Sequence, residues 1–200
     1  MNLEKTMTAF LKARKIGEGP VRQMLRAVKA RVGDDADSGN VPEGPLLIFD
    51  DRTGTQVDFD LRGTESDVLA ALEVHPFFVS APKAASKGMV GRPKLGVKAR
   101  EVTLLPRHWE WLGKQPSGAS ATLRRLVDAA IARPSPEERA RTARDAAGKV
   151  MWCLAGDLPG FEEASRALYK GEIDAFEARI ADWPPDIRDY LARLARGEAV

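Results

Sequence analysis

Apolar residues near the start of the chain recur at helical spacing. Val21, Met24, Leu25 and Val28 follow Pro20 and lie on one face of a helix that proline is well suited to begin. The pattern therefore predicts an amphipathic helix in the first part of the chain.

Two short stretches beyond this helix have the character of β-strands. Leu46–Phe49 and Val57–Leu61 flank the turn-forming sequence Asp50–Gly54, which predicts a β-hairpin. Asp58 and Asp60 alternate with apolar residues in the second stretch, as in a sheet with one solvated face. A short helix capped by Thr64 follows. Residues 1–74 are thus predicted to form a small α/β domain.

The final third of the chain has helical periodicity throughout. A capping sequence at Ser135–Glu138 precedes an apolar stripe that ends near Gly156, and three shorter amphipathic stretches follow. Residues 134–200 are therefore predicted to be a helical bundle. Residues 75–97 lack periodicity and are rich in proline, glycine and lysine, which is typical of a basic linker. The predicted fold class is α+β.

Residues 98–133 have an unusual order, with one short strand followed by two helices. Arg100–Leu104 alternates within the strand Arg100–Leu105, Pro106 begins the first helix, and the second helix runs from about Ser120 to Ile131. A lone strand leaves its backbone groups without partners, and the simplest partner is the same strand of a second copy. The sequence therefore predicts a homodimer.

This segment resembles the ribbon-helix-helix family of bacterial repressors. The resemblance rests on Val102–Leu104, on Trp109–Leu112, and on Gly118–Ser120 leading into Leu123–Val127. It implies that two antiparallel strands enter the DNA major groove while the start of the second helix binds a phosphate. The implied dimer interface consists of Val102, Leu104, Trp109, Leu112, Leu123, Leu126 and Val127. Glu101, Thr103 and Ser120 would contact DNA, and an interface without any DNA role is the alternative.

A short motif before the predicted strand adds to the DNA interpretation. Gly91-Arg92-Pro93-Lys94 is similar to the core of AT-hook peptides, in which arginine follows a narrow minor groove. Together with Lys98 and Arg100, Arg92 and Lys94 complete the predicted DNA-binding residues. Double-stranded DNA is the partner that this set implies.

Charge is distributed in blocks along the chain, although the net charge is only +2. Residues 1–33 carry +6, residues 34–82 carry −9, residues 83–133 carry +8 and residues 134–200 carry −3. The third block has the sign needed to meet a phosphate backbone, but basic and acidic blocks could also neutralise each other within the molecule.

Composition argues against several other classes of protein. No apolar run approaches the roughly 18 residues of a membrane span, no leader opens the chain, and a single cysteine excludes an internal disulfide, so we expect a cytoplasmic protein. The two histidines lack metal-ligand spacing and no nucleotide-binding or serine-hydrolase motif is present. Cys153 is predicted to be a buried, inert thiol, and turn chemistry explains Asp50 and Asp51 better than a cation does. We expect no enzyme, metal or cofactor.

Over its whole length the chain also resembles the bacterial family catalogued as domain of unknown function 2239. The matching stretches are Ile48–Asp51, Val57–Thr64, Gly91–Val97, Glu101–Trp111 and Gly160–Ala164. This resemblance implies no activity. The sequence favours a DNA-binding regulator whose flanking regions bind an effector, join dimers into larger assemblies or contact another protein. The alternative is a dimeric interaction or scaffold protein that does not bind DNA.

Overall fold

The computed structural model describes residues 5–33, 44–79 and 100–198. It has a mixed α+β fold. The strands are β1 (Thr6–Leu11), β2 (Arg14–Pro20) and β3 (Leu46–Asp50). The helices are α1 (Val21–Val32), α2 (Glu65–Ala71), α3 (Pro106–Gly113), α4 (Gly118–Ala132), α5 (Pro136–Ala155), α6 (Phe161–Lys170), α7 (Ile173–Arg179) and α8 (Pro185–Ala195). None of the helices in these described ranges is both long and apolar enough to cross a lipid bilayer.

The chain forms two compact units, and the second is an insertion in the sequence of the first. Unit 1 comprises Met1–Pro82 and Glu137–Val200, and unit 2 comprises Lys83–Pro136. The sequence pattern predicts separate regions at 1–74 and 134–200, whereas the structure joins them in one unit. The two segments join because the two faces of the sheet pack against helices from different parts of the chain.

The sheet of unit 1 is antiparallel, with strand order β2-β1-β3. Met7 and Ala9 of β1 contribute to a core cluster with the buried face of α1 and with Val68 of α2. Phe10 of β1 and Phe49 of β3 belong to a different cluster, which they share with helices α5 to α8. Because both faces are covered, residues 7–10 are all buried, including the polar Thr8.

The predicted hairpin at residues 46–61 is wrong in its second strand. Only Leu46–Asp50 forms a strand, and a single bridge joins Phe49 to Gln56. The chain then continues without strand structure, although the Val57 N–H still donates to the Ile48 carbonyl over 2.8 Å. Phe59 and Leu61 are partly buried against the same cluster as Met7, so the alternation reflects side-chain packing rather than a hydrogen-bonded ladder.

The predicted helices are confirmed. Val21, Met24, Leu25 and Val28 form the buried face of α1. Helix α2 begins after a capping box in which the Thr64 hydroxyl accepts from the Asp67 N–H and the Asp67 carboxylate accepts from the Thr64 N–H. The four helices α5 to α8 also follow the predicted stripes.

Candidate nucleic-acid interface

Unit 2 is built around a pair of helices joined by a tight turn. Pro106 is the first residue of α3, and Gly118 at the start of α4 has a φ of 72°, a conformation that glycine adopts without strain. In the turn, the Gln115 N–H donates to the Leu112 carbonyl and the Gly118 N–H donates to the Gln115 carbonyl. This sequence brings the start of α4 close to the end of α3.

Little of this helix pair is buried. Leu112 and Thr122 are the buried residues among the described residues 100–135. The exposed large apolar residues of this stretch are Val102, Leu105, Trp109, Trp111, Leu126, Val127 and Ile131. Of the predicted dimer residues, only Leu112 is therefore buried within one copy, while Leu104 and Leu123 are half-buried.

Residues 100–105 have no strand structure in the single chain. The predicted strand at Arg100–Leu105 depends on pairing with a second copy and stays a prediction. The structure therefore gives no support to the ribbon-helix-helix resemblance. An alternating sequence cannot form a strand without a neighbour that accepts its backbone hydrogen bonds.

The predicted DNA-binding residues fall into two groups. Arg92, Lys94 and Lys98 lie outside the described residues. Arg100, Glu101 and Thr103 are exposed in the segment before α3, and Ser120 is exposed in the first turn of α4.

The described part of unit 2 carries exposed cations that have no ion-pair partner among the described residues. The cationic residues of the described segment 100–136 are all exposed and comprise Arg100, Arg107, Lys114, Arg124, Arg125 and Arg133. None of the six forms an ion pair with a described residue. The same segment contains three acids, Glu101, Glu110 and Asp128. This unneutralised charge is a feature that can attract a polyanion.

Unit 1 contains a buried polar cluster that the sequence did not predict. The Thr8 hydroxyl and the Tyr190 hydroxyl both donate to Asp51 Oδ1, over 2.7 and 2.8 Å. Burial and the neighbouring Asp51 carboxylate raise the pKa of Tyr190 well above its usual range. The cluster joins the sheet to α8, so its evident role is structural. No local motif could have indicated it, because Thr8 lies 43 residues and Tyr190 lies 139 residues from Asp51 in the sequence.

The other aspartates near the turn have simpler roles. Asp50 Oδ1 accepts from the Arg52 N–H and from the N–H and hydroxyl of Thr53, as the turn chemistry predicts. Asp60 is exposed, and its hydrogen bonds with Arg62 lower its pKa to about 2. Within the described ranges, no group of three or more potential ligand residues could hold a metal ion.

A cleft of about 460 Å³ lies beside α7 and α8 in unit 1. Its charged lining consists of three arginines and three acids, namely Arg188, Arg193, Arg196, Glu177, Asp189 and Glu198. Arg196 pairs with Glu177 over 2.6 Å and Arg188 with Asp189 over 2.8 Å. The balanced charges do not favour a ligand of either sign.

Cys153 is exposed, which corrects its predicted burial in α5. It lies on the outer side of the helix beside Trp152, which is 72% exposed. Partial desolvation still raises the pKa of the thiol. The apolar composition of the helix was therefore a poor guide to which side faces the core.

The structure is thus that of a mixed α+β protein with an inserted unit, whose residues 100–136 form helices α3 and α4 and carry a net positive charge. The chain belongs to the bacterial family described as uncharacterized protein conserved in bacteria (DUF2239), whose model matches residues 6–195. Searches of the curated proteins and of the solved structures found no match.

Proposed function

We propose that the protein binds double-stranded DNA as a homodimer and regulates transcription. The observation that carries this proposal is the exposed cationic set of unit 2. Six cations in residues 100–136 have no ion-pair partner among described residues, and residues 83–99 add five cations without any acid. Together they supply the charge that a phosphate backbone attracts.

Helix α4 supplies the most compact part of this surface. Ser120 lies in its first turn, and Arg124 follows one helical turn later, next to Arg125. The free N–H groups and positive dipole of a helix start favour a phosphate, and arginine binds phosphate oxygens with a planar pair of donors. In this arrangement Ser120 and Arg124 contact one DNA backbone.

The segment before unit 2 gives the second contact. Arg92 and Lys94 in the Gly-Arg-Pro-Lys sequence reach the minor groove, where A·T-rich DNA has an enhanced negative potential. Lys98 and Arg100 extend the cationic run toward α3. The result is a broad phosphate contact with a preference for A·T-rich duplexes.

The exposed apolar surface of unit 2 supports the proposed dimer. Two short helices that bury only Leu112 and Thr122 are too small to hold a core of their own. Leu123, Leu126, Val127 and Ile131 recur at helical spacing on α4, and a second copy is the partner that would cover them. In that dimer, residues 100–105 of the two copies form the antiparallel ribbon.

Salt dependence of DNA binding tests the proposal. About six neutralised phosphates would give a log–log slope of roughly −5 between about 50 and about 200 mM salt, measured by fluorescence anisotropy on a labelled duplex. Substituting Arg124→Gln together with Arg125→Gln should reduce the slope by about 2, since each lost phosphate contact removes about 0.9. Arg22→Gln, an exposed change on α1 in unit 1, is the matched control and should leave the slope unchanged. No binding at the lowest salt would reject the proposal.

The minor-groove contact has its own test. Arg92→Ala together with Lys94→Ala should weaken binding to every duplex, with a larger loss on A·T-rich than on G·C-only DNA. An equal loss on both duplexes would leave charge attraction and remove the minor-groove contact.

Light scattering after size exclusion tests the dimer. The unmodified protein should have twice the 21.8 kDa mass of one chain. Leu126→Glu with Val127→Glu should restore the monomer mass, because both side chains are about half exposed in one copy and would be buried between two. Val74→Glu, at a residue that is 78% exposed in unit 1, is the control. A monomeric unmodified protein would contradict the dimer.

A second candidate function is protein interaction without DNA binding. Trp152 and Tyr169 of unit 1 are 72% and 57% exposed, and aromatic side chains of this kind are enriched at protein interfaces. A stable dimer that fails to bind any duplex at low salt would favour this candidate over the first.

A further inference from the structure

The cleft beside α7 and α8 is lined by two residues that each carry an unsatisfied polar atom. Glu177 Oε1 and Arg193 Nε are both buried, and neither has a hydrogen-bond partner among the described residues. A buried polar atom without a partner destabilises a fold, so native proteins almost always satisfy such atoms. One acceptor and one donor of this kind in the same cleft indicate a ligand that offers the complementary pair.

Three neighbours place the guanidinium of Arg193 at this cleft. Its Nη1 lies 3.5 Å from Glu18 Oε2, and its Nη2 donates to the Thr8 hydroxyl over 3.5 Å. The guanidinium carbon lies 5.4 Å from the centre of the Tyr190 ring. These contacts come from β2, β1 and α8 and leave Nε as the donor for a ligand. A guanidinium is always charged and matches the geometry of a carboxylate, so a carboxylate oxygen is the preferred acceptor.

The acceptor is placed by an arginine at the end of α8. Arg196 Nη2 lies 2.6 Å from Glu177 Oε2, so one carboxylate oxygen has a partner and Oε1 has none among the described residues. Arg196 follows Arg193 by three residues, which makes the two arginines neighbours along the helix. A carboxylate oxygen can only accept, and its charge favours an ammonium N–H over a neutral donor.

Both side chains remain accessible to a small molecule. Glu177 is 25% exposed and Arg193 is 35% exposed. The terminal torsion of glutamate is broad, so a small rotation presents Oε1 to the cleft. The two 3.5 Å contacts of Arg193 are long for hydrogen bonds, so its guanidinium can turn toward a ligand. A cleft of about 460 Å³ is within the range of small-molecule sites.

The charges of the lining select the class of ligand. Three arginines and three acids face the cleft, so a ligand of one sign meets as many like charges as opposite ones. A zwitterion can place each of its charges against the opposite sign. Ile180, Ala181 and Ala192 supply the apolar part of the lining, which suits an aliphatic group.

We propose that this cleft binds a free amino acid, with its carboxylate on Arg193 and its ammonium on Glu177. The apolar part of the lining contacts the amino-acid side chain. This proposal does not rest on DNA binding, because the lining belongs to unit 1 and the cations proposed to contact DNA lie within residues 83–136.

Isothermal titration calorimetry of the full chain with glycine, L-alanine and L-leucine tests the site. At least one of the three should bind saturably, with one site per chain. The matched amine without the carboxylate and the matched acid without the ammonium should each bind at least about tenfold more weakly, because each forms one of the two charge-assisted hydrogen bonds. No saturable binding of any of the three up to about 10 mM would overturn the proposal. An amine or acid that binds as tightly as the amino acid would also overturn it.

Glu177→Gln tests the acceptor. Glutamine keeps the shape of the side chain but removes the charge that favours the ammonium, so the affinity should fall at least about tenfold. Glu163→Gln is the matched control, because it makes the same change at an exposed residue of α6 that does not line the cleft. It should leave the affinity unchanged. Equal affinity of Glu177→Gln and the unmodified protein would contradict the assigned role of Glu177.

The Nε–H resonance of Arg193 provides a readout that does not depend on the folding of Glu177→Gln. In a nitrogen–proton correlation spectrum of the unmodified protein, this resonance should shift on saturation with the bound amino acid, because Nε gains an acceptor. Arg193→Lys identifies the resonance by its loss, and it should also weaken binding, since lysine keeps the charge without this donor. A resonance that stays in place while the amino acid binds would place the binding elsewhere and overturn the assignment to this cleft.

Discussion

Asp51 is a buried carboxylate whose partners come from both ends of the chain. It accepts from Thr8 on β1 and from Tyr190 on α8, and Tyr190 is itself buried. A charged group of this kind stabilises a fold only while its hydrogen bonds are complete. Removing or deprotonating the Tyr190 hydroxyl should therefore destabilise the fold, because Asp51 then loses a hydrogen-bond donor.

Replacing Tyr190 with phenylalanine should lower the free energy of unfolding by about 1–3 kcal/mol at neutral pH, because Asp51 loses a donor. Since the pKa of folded Tyr190 is raised, the tyrosine stabilises the fold fully below about pH 10, where the unfolded residue titrates, and progressively less above it. Urea unfolding from about pH 8 to about pH 11 should show this decline in the unmodified protein. The decline should be smaller in Tyr190→Phe and unchanged in the control Tyr169→Phe, whose ring is 57% exposed. Identical curves for the unmodified protein and Tyr190→Phe would contradict this account.

Gly54 ends the turn after β3 and is tightly packed against α5. Its φ is 62°, and a Cβ at this position would collide with the Ala146 carbonyl. Gly54→Ala should therefore lower the free energy of unfolding by about 1–3 kcal/mol, from backbone strain and from displacement of the turn. Gly113→Ala is the control, because nothing lies within 4 Å of its added Cβ and the residue is helical. A neutral Gly54→Ala in chemical denaturation would show that the turn moves away freely.

At the scale of elements, the short helix α2 depends on its first turn. Thr64→Ala removes the hydroxyl that accepts from the Asp67 N–H and should destabilise the protein by about 1 kcal/mol in urea. Hydrogen bonds from Thr64 also lower the pKa of Asp67, so the contribution of this carboxylate is present above its usual pKa and is lost as the pH falls. Ser66→Ala, an exposed change inside the same helix, should have a small effect. Equal effects of the two changes would argue against the capping box.

The helices could be predicted from the sequence because their apolar stripes and caps are local. The strands were harder, because a strand depends on a neighbour that the local sequence does not specify. Val57–Leu61 alternates and is partly buried, but its ladder stops after the bridge at Phe49. Residues 100–105 alternate as well, and in a single chain they have no strand to pair with. Of the candidate interface, the charge and the helices were predictable. In unit 1, the buried hydrogen bonds from Thr8 and Tyr190 to Asp51 could not be predicted, since they join distant parts of the chain.

At the scale of the molecule, unit 1 joins its two sequence segments through a shared core. The rings of Phe10 and Tyr190 lie 5.3 Å apart, and the Lys15 N–H donates to the Asp186 carboxylate over 2.8 Å. Arg193 approaches Glu18 to 3.5 Å. The pKa of Glu18 is lowered mainly by a hydrogen bond from Lys15 and further by the positive charges of Lys15 and Arg193. The first strand and the last helix should therefore unfold together.

Phe10→Ala tests this joint unfolding. Removing a fully buried aromatic ring should lower the free energy of unfolding by about 3–5 kcal/mol. Hydrogen exchange should show that amides of β1 and of α8 lose protection to the same extent, because they belong to one cooperative structure. Val74→Ala, at an exposed position, is the control. Protection of α8 that survives while β1 is lost would show that the two segments are independent.

The insertion of Lys83–Pro136 between the two segments of unit 1 also sets an order for synthesis on the ribosome. Chains emerge at roughly 5–20 residues per second, so the sheet leaves the ribosome several seconds before α8 does. During that interval unit 2 emerges, and Phe10 and Phe49 still lack the helices that cover them in the folded protein. We therefore expect the uncovered sheet to be prone to aggregation at this stage of synthesis.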